Sequence, residues 1–258
     1  FFCFFVLLKH YAYMEVLGID IGGSGIKGAL VNTQTGAMLT DRFRIPTPSS
    51  RKPEEMAEVV AQIAKHFDYS GPIGVGFPSI VKKGICKSKG NLHKSWVGVN
   101  IIGLFERHTG AKVFVNNDAD AAATAEMAFG AGKNKKGLVM MVTIGTGLGS
   151  GAFLDGKLIP NFELGQIPYK SYDKIELWAS AAAKEKEMLS FKRWTKRFNT
   201  FLEYVEIICA PDLIIVGGGT SKDWERFSEH ISIETPILPA EFLNQAGIIG
   251  AAMGAVQK

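Results

Sequence analysis

The chain has 258 residues, of which 47% are hydrophobic and 21% charged, so it can bury a globular core. Its formal net charge of +4 is too small to indicate nucleic-acid binding without a matching motif. The three cysteines, Cys3, Cys86 and Cys209, are far apart in the sequence, which excludes a disulfide framework and favours a cytoplasmic location.

The first residues do not fit the pattern of the rest. Phe1 to Leu8 is apolar but much shorter than the roughly 20 residues of a membrane span, and it lacks the features of a signal peptide. The globular pattern begins at Met14. We therefore expect residues 1–13 to be a non-native or disordered extension, and we expect no membrane association.

The first half of the chain alternates strands and helices. Apolar runs bounded by turn residues predict strands, and apolar residues at helical spacing predict helices. The predicted strands are Val16–Ile21, Ile26–Val31, Met38–Ile45, Ile73–Phe77 and Val113–Val115, and the predicted helices are Glu54–Phe67 and Val99–Thr109. The first three strands read as a β-meander.

The second half repeats this plan. Leu138–Ile144 predicts a strand that runs into a glycine turn and a hairpin, and Leu213–Val216 predicts a later strand. Ser190 can cap a long helix between them. The apolar face of that helix would comprise Phe191, Trp194, Phe198, Phe201, Leu202, Val205 and Ile208. Glycines at helical spacing in Asn244–Val256 predict a closely packed final helix.

Two glycine loops each follow a strand and precede a hairpin. In the first, Gly23 to Gly28 matches the dinucleotide fingerprint G-x-G-x-x-G, but no helix follows, which argues against a nicotinamide-dependent oxidoreductase. Asp20 ends the strand before this loop and could hold a hydrated metal ion, while the loop N–H groups could bind phosphate. The alternative is a purely structural glycine hairpin. The candidate phosphate-binding residues are Asp20, Gly22, Gly23, Ser24, Gly25 and Lys27 in the first loop, and Thr143, Gly145, Thr146 and Gly147 in the second.

A third glycine run, Gly217-Gly218-Gly219, follows the last predicted strand and is a candidate nucleotide-binding element. Two phosphate hairpins followed by such a run are similar to the actin-like ATPase superfamily. Within it, Leu17 to Gly28 resembles the opening of the ROK kinases, especially their polyphosphate glucokinase branch. The same resemblance covers four further segments: Asn91–Trp96, Asn116–Ala121, Glu163–Gly165 and Pro211–Gly219.

The resemblance implies an α/β fold of two ribonuclease-H-like domains with a cleft between them. We expect residues 14–116 to form a small N-terminal domain and residues 117–244 a larger C-terminal domain. A helix at about 245–258 would pack on the first domain. The expected activity is transfer of a phosphoryl group to the 6-hydroxyl of glucose with Mg²⁺, which Asp20 would hold through water. Relatives are often homodimers.

The resemblance also assigns the sugar site. Asp118 would be the general base and Asn117 a sugar ligand, although the residues alone are equally compatible with a helix cap. Glu163 would bind ring hydroxyls. Gln166 stands where the family has His, which makes sugar preference less certain. Glu176 is either a further sugar ligand or a solvated helix residue.

The resemblance to the polyphosphate glucokinase branch implies that the phosphoryl donor is inorganic polyphosphate, with or without ATP. Lysine clusters at 82–89 and 133–136 could provide a cationic track, although each basic cluster, including that at 192–197, can equally be a solvated surface. No cysteine lies in Ile167–Ile175, where many ATP-dependent ROK kinases bind zinc, so we expect no zinc.

Three alternative functions follow from the same residues. One is an ATP-only ROK hexokinase acting on glucose, mannose or an N-acetylhexosamine. Another is an inactive sugar-binding relative, which the departure at Gln166 would explain. The third is a ROK-type repressor, which would need a helix-turn-helix before the first strand, where only 15 residues precede Val16.

Overall fold

The computed structural model describes residues 15–256, so the predicted extension at 1–13 lies outside the described residues. The chain divides into two compact units. The first unit contains the residues up to Ala125 together with those from Gln245 onward, and the second contains Glu126–Asn244. The domain boundaries at 116/117 and 244/245 stay a prediction. No helix among residues 15–256 is long and apolar enough to cross a bilayer.

The first unit is built on a mixed five-stranded sheet. Its strands are β1 (Glu15–Ile21), β2 (Ile26–Asn32), β3 (Phe43–Ile45), β4 (Ile73–Phe77) and β7 (Val113–Asn117), in the order β3-β2-β1-β4-β7. β1 and β2 are antiparallel, whereas β1, β4 and β7 are parallel. A short antiparallel pair, β5 (Val81–Lys82) and β6 (Ile85–Cys86), follows β4. The carboxyl ends of β1, β4 and β7 therefore lie at one edge.

Three helices of this unit are α1 (Pro53–His66), α2 (Ile101–Thr109) and α7 (Ala246–Gly254). Proline starts α1, where its missing N–H costs nothing, and the Asn100 side chain caps α2 through the Gly103 N–H. α7 packs on β1 and β4. The helix backbone lies so close to its neighbours that a Cβ at Gly250 would overlap the Ala121 carbonyl, and a Cβ at Gly74 would overlap the Ala251 carbonyl. The glycines at helical spacing in Asn244–Val256 thus allow this close packing, as the sequence predicted.

α3 (Asp118–Phe129) contains the boundary between the units. Its last turn is joined to a distant segment by Glu126, which is fully buried. The Glu126 carboxylate accepts backbone hydrogen bonds from Ala131, Glu241 and Phe242 at 2.8–3.1 Å. These three N–H groups satisfy a charge that burial would otherwise penalise.

The second unit has a sheet of the same design. Its strands are β8 (Leu138–Ile144), β9 (Leu148–Leu154), β10 (Lys157–Ile159), β11 (Leu213–Gly217) and β12 (Ile237–Pro239), in the order β10-β9-β8-β11-β12. An antiparallel hairpin is again followed by parallel strands. The repeated order confirms that the chain contains two α/β halves of one design.

Helices α4 (Glu176–Ala179), α5 (Ala181–Lys186) and α6 (Phe191–Cys209) belong to the second unit. Ser190 caps α6 through the Arg193 N–H, as predicted. The predicted apolar face of α6 is buried or half-buried except at its last member, Ile208, which is 51% exposed. Trp194 and Phe198 stack at 5.3 Å within this core.

The predicted strand Met38–Ile45 is too long. The structure has a strand only at Phe43–Ile45, with an isolated bridge between Met38 and Val31. The Thr40 hydroxyl accepts the hydrogen bond of the Leu30 N–H at 3.0 Å. Because a side chain takes the place of a backbone acceptor, the ladder is interrupted.

Candidate active site

The first glycine loop, Gly22–Gly25, closes the β1–β2 hairpin, and its Gly22 N–H donates to the Gly25 carbonyl at 3.1 Å. Three successive loop carbonyls accept hydrogen bonds from side chains beyond β2. The pairs are Thr47 to Gly22 at 2.6 Å, Arg51 to Gly23 at 3.2 Å and Arg44 to Ser24 at 2.6 Å. A loop whose carbonyls are fixed in this way is suited to presenting N–H groups to an anion.

Asp20 and Lys27 face each other across this hairpin. They are register partners, and Lys27 Nζ lies 3.5 Å from Asp20 Oδ2. Burial raises the pKa of the Asp20 carboxyl above its ordinary value, and the charges of Lys27 and Arg42 partly oppose that shift. Gly247, in the first turn of α7, brings the helix backbone against this carboxyl, since a Cβ there would lie 2.9 Å from Asp20 Cγ.

A row of paired residues connects Asp20 to the candidate base within the first unit. Asp20 is in register with Gly76 on β4, and Gly76 is in register with Asn116 on β7. Two strand spacings separate Asp20 from Asn116 by about 10 Å. Asp118 follows two residues later, at the carboxyl edge. The glycine loop and the candidate base thus lie along one edge of one sheet.

Asn117 and Asp118 have different surroundings. Asn117 is buried, and its Oδ1 accepts the N–H groups of Ala119 and Asp120 at 2.9 and 3.1 Å. Its Nδ2 donates to the Ser79 carbonyl at 3.2 Å. Asp118 is half-buried, and its Oδ1 accepts the Ala119 N–H at 2.9 Å. Asn117 therefore caps α3 and ties it to the segment after β4, whereas Asp118 is the less buried residue of the pair.

Arg51 is a site residue that the sequence reasoning missed. One guanidinium nitrogen donates to the Gly23 carbonyl at 3.2 Å and another to the Asn91 carbonyl at 2.8 Å. The Arg51 carbonyl in turn accepts the Trp96 indole N–H at 2.9 Å. Arg51 thus joins the glycine loop to Asn91–Trp96. Its partners are 28, 40 and 45 residues away, so no local spacing could have identified it.

The second glycine loop lies in the second unit between β8 and β9, where the Gly145 N–H donates to the Gly147 carbonyl at 3.0 Å. Thr143 on β8 is in register with Gly217 on β11, so the loop and the Gly217–Gly219 run leave the same sheet edge. Gly218 has φ +82°, and a Cβ there would lie 2.5 Å from the Ile144 carbonyl oxygen. The structure therefore places Thr143, Gly145, Thr146, Gly147 and Gly217–Gly219 together.

Among the predicted sugar ligands of the second unit, Glu176 lies beside this loop and contacts Gln166. Gln166 Nε2 donates to Glu176 Oε1 at 2.9 Å, and the Leu148 N–H donates to Glu176 Oε2 at 3.2 Å. Glu176 is only 12% exposed, and Lys174 pairs with it at 3.6 Å. Glu176 thus connects the Gln166 turn to the start of β9. Glu163 is half-buried and precedes that turn.

Asp20 is the candidate metal-binding carboxylate beside the first glycine loop. No group of three or more His, Cys, Asp or Glu side chains in residues 15–256 is arranged to hold a metal ion. Mg²⁺ in kinases typically takes one or two carboxylates, several waters and the substrate phosphates. The single Asp20 carboxylate beside the glycine loop fits that requirement.

The two lysine clusters differ in their position relative to the glycine loop of their own unit. Lys133, Lys135 and Lys136 precede β8, whereas the Gly145–Gly147 loop follows it. A seven-residue strand is about 20 Å long, so this cluster is remote from the loop of its own unit. Lys87 and Lys89 are exposed near Asn91, which Arg51 joins to the first glycine loop.

Comparison with known proteins agrees with this arrangement. The ROK family model matches residues 16–161. A polyphosphate glucokinase of Mycobacterium tuberculosis is 40% identical over 240 residues, covering 93% of this chain and 90% of the relative. The inorganic polyphosphate/ATP-glucomannokinase of Arthrobacter sp. strain KM is 42% identical, with a TM-score of 0.89 over 93% of this chain and 97% of the other.

A ROK family glucokinase from Streptomyces griseus, solved with glucose and AMPPNP, has a TM-score of 0.80 over 95% of this chain and 100% of the other. At 23% identity this match shows the fold alone. With the repeated sheet, the two glycine loops and the family match together, the resemblance and fold class inferred from the sequence are confirmed: the chain belongs to the ROK family and has the actin-like ATPase fold.

Proposed function

We propose that this protein is a glucokinase that transfers the terminal phosphoryl group of inorganic polyphosphate, and also of ATP, to the 6-hydroxyl of glucose. The observation that carries the proposal is the edge of the first sheet, where a phosphate-type glycine loop, Asp20 and the half-buried Asp118 lie together. Its support from relatives is 40% identity to a polyphosphate glucokinase over 93% of the chain.

In this proposal Asp118 is the general base. Its carboxylate accepts the proton of the glucose 6-hydroxyl as that oxygen bonds to the terminal phosphorus. The bond from this phosphorus to the bridging oxygen breaks, and the electron pair leaves with the shortened polyphosphate or ADP. Asn117 holds the start of α3 and hence the position of the base. Asn117 also binds the sugar.

The glycine loops are the proposed phosphate-binding elements of their respective units. The N–H groups of Gly22–Gly25 and Gly145–Gly147 bind phosphate oxygens, and Lys27, Ser24, Thr143 and Thr146 contribute further polar contacts. Gly217–Gly219 binds the nucleotide when ATP is the donor. Mg²⁺, held by Asp20 through water, would neutralise the donor phosphates. Lys27 at 3.5 Å keeps the Asp20 carboxylate oriented towards the loop.

Sugar recognition is assigned to Glu163, Gln166 and Glu176. A carboxylate and an amide can accept and donate hydrogen bonds to ring hydroxyls. Because Glu176 already accepts the Gln166 amide and the Leu148 N–H, it would also transmit the sugar position to the second loop. A cytoplasmic location, a homodimeric state and independence from zinc, nucleic acid and membranes are further parts of the proposal.

The alternatives derived from sequence are not favoured by the comparisons. The reported relatives at 40–42% identity are both named for polyphosphate, which favours neither an ATP-only hexokinase nor an inactive sugar-binding relative. Neither alternative explains why the segments resembling polyphosphate glucokinases extend from the first strand to Gly219.

Initial rates with matched donors test the proposal. The purified protein would be assayed with Mg²⁺ and glucose, with either long-chain polyphosphate or ATP as donor, and hexose 6-phosphate would be measured. We expect turnover with polyphosphate. Turnover with ATP alone would contradict the donor assignment, and turnover with neither would contradict the kinase assignment. Mannose in place of glucose tests the sugar assignment, with a lower kcat/KM expected.

A further inference from the structure

Two cationic side chains of the second unit converge on one aromatic ring. Lys184 Nζ lies 4.2 Å from the centroid of the Phe191 ring, and the Arg226 guanidinium carbon lies 4.3 Å from it. The two positive groups are therefore no more than about 9 Å apart, so one extended polyanion can contact both. Phe191 is half-buried and Arg226 is 65% exposed, so the cluster is open to solvent.

Both cations belong to elements that start at the phosphate-type loops of this unit. The Ala182 N–H, in the first turn of α5, donates to the Gly145 carbonyl at 3.4 Å, and Lys184 lies two residues further along. The short helix Gly219–Arg226 follows Gly218 directly, and Ser221 anchors it through two hydrogen bonds to the Gly218 carbonyl. Both cations thus lie on elements whose first turns contact Gly145 or Gly218.

The charges of this cluster are only partly neutralised. Arg226 pairs with Asp223 at 3.2 Å, but no ion pair joins Lys184 to an acid among residues 15–256. The surrounding segment from Lys184 to Arg197 contains six basic and two acidic residues. Such a surface attracts a ligand that carries repeated negative charge.

We infer that Lys184 and Arg226, over the Phe191 ring, bind the phosphates of a polyphosphate chain that lie beyond the transferred end. This inference rests on the proposed function. An extended polyanion has a charge at every phosphate and gains from successive cations, whereas an adenine base gains from an open aromatic face. The cations occupy positions over Phe191, which favours the polyanion.

A charge-removing double variant, Lys184→Gln with Arg226→Gln, tests the inference in steady-state kinetics. The KM for long-chain polyphosphate should rise about tenfold, the size expected for loss of two exposed charge contacts. The KM values for ATP and glucose should stay within about twofold of wild type, a change worth less than one such contact. The dependence of the polyphosphate KM on salt should weaken.

Two controls make the result specific. Lys133→Gln with Lys135→Gln removes the same charge at the other end of β8 and should leave all KM values unchanged. Lys184→Arg with Arg226→Lys keeps both charges and should retain most of the polyphosphate affinity. Thermal unfolding of each variant excludes a global loss of structure.

An unchanged polyphosphate KM in the Lys184→Gln, Arg226→Gln variant would overturn this inference alone. An equal rise in the KM for ATP would also overturn it, because the cluster would then serve the nucleotide donor equally. A wild-type protein that phosphorylates glucose with ATP but not with polyphosphate would contradict the proposed donor and this inference together.

Discussion

Adjacent residues at the start of α3 perform separate tasks. Asn117 is buried and uses both ends of its amide, accepting two N–H groups and donating to the Ser79 carbonyl. Asp118 is half-buried, and its Oδ1 accepts the N–H of the next residue, Ala119. Asn117 thus carries most of the capping at the start of α3, which leaves the proposed chemical role to its partly exposed neighbour.

The variant Asp118→Asn should separate catalysis from stability. Asn retains an Oδ1 acceptor for the Ala119 N–H but cannot accept the sugar proton. We expect kcat to fall by about 10²–10⁴-fold, with the melting temperature and the glucose KM little changed. Steady-state kinetics and thermal unfolding check this.

As a contrast, Asn117→Ala should lower stability by about 1–3 kcal/mol, because it leaves buried N–H groups unsatisfied.

Arg51 offers a second test at the residue scale. The variant Arg51→Lys keeps the charge but cannot reach the Gly23 and Asn91 carbonyls with one planar group. We expect a fall in kcat/KM for the donor of about tenfold, the effect of losing roughly 1.4 kcal/mol of positioning.

The matched control for Arg51 is Arg107→Lys, since Arg107 donates only within its own helix, to the Gly103 carbonyl. This control should retain wild-type kinetics. Equal donor kcat/KM for Arg51→Lys and wild type would show that the link between the loop and Asn91–Trp96 has no role in catalysis.

At the scale of elements, α7 combines packing with positioning of the site. Gly250 and Gly247 lie three residues apart on the same helix but meet different neighbours. A Cβ at Gly250 would overlap the backbone carbonyl of Ala121, which cannot move without shifting α3. A Cβ at Gly247 would instead press on the Asp20 carboxyl, a side chain that can move.

Gly250→Ala should therefore mainly lower stability, whereas Gly247→Ala should mainly lower activity. Gly250→Ala should lower the free energy of unfolding by about 1–3 kcal/mol, as overpacking does. Gly247→Ala should change stability by less than about 1 kcal/mol, since alanine also favours the helix, but should lower kcat by displacing Asp20. Chemical denaturation and kinetics on both variants check this; a Gly247→Ala enzyme with wild-type kcat would argue against a role for Asp20.

Local patterns predicted most of the elements that carry the site. The glycine loops were predictable because a strand, an acid and closely spaced glycines are adjacent in sequence, and the cap at Asn117–Asp118 has a local signature. The contacts of Arg51, Glu126 and Glu176 were not predictable, because each joins segments distant in sequence. The apolar periodicity of α6 extends to Ile208, but this residue is 51% exposed. Periodicity alone therefore did not show where the buried face of the helix ends.

For the whole molecule, the two units repeat one sheet order with different additions. In the first unit, the sheet edge carries Asp20 and Asp118, which are suited to metal and proton chemistry. In the second unit, the corresponding edge carries glycine loops followed by the Lys184 and Arg226 cluster. The division predicts that substitution of Asp20 or Asp118 in the first unit mainly alters kcat, whereas removal of the Lys184 and Arg226 charges in the second unit mainly alters the donor KM.

The most direct test of the central claim is ³¹P NMR of the wild-type protein with Mg²⁺, glucose and long-chain polyphosphate as the only donor. We predict a growing signal of hexose 6-phosphate monoester, and no such signal over the same time with Asp118→Asn. Release of orthophosphate without the monoester, or monoester formation at equal rates by both proteins, would contradict the account.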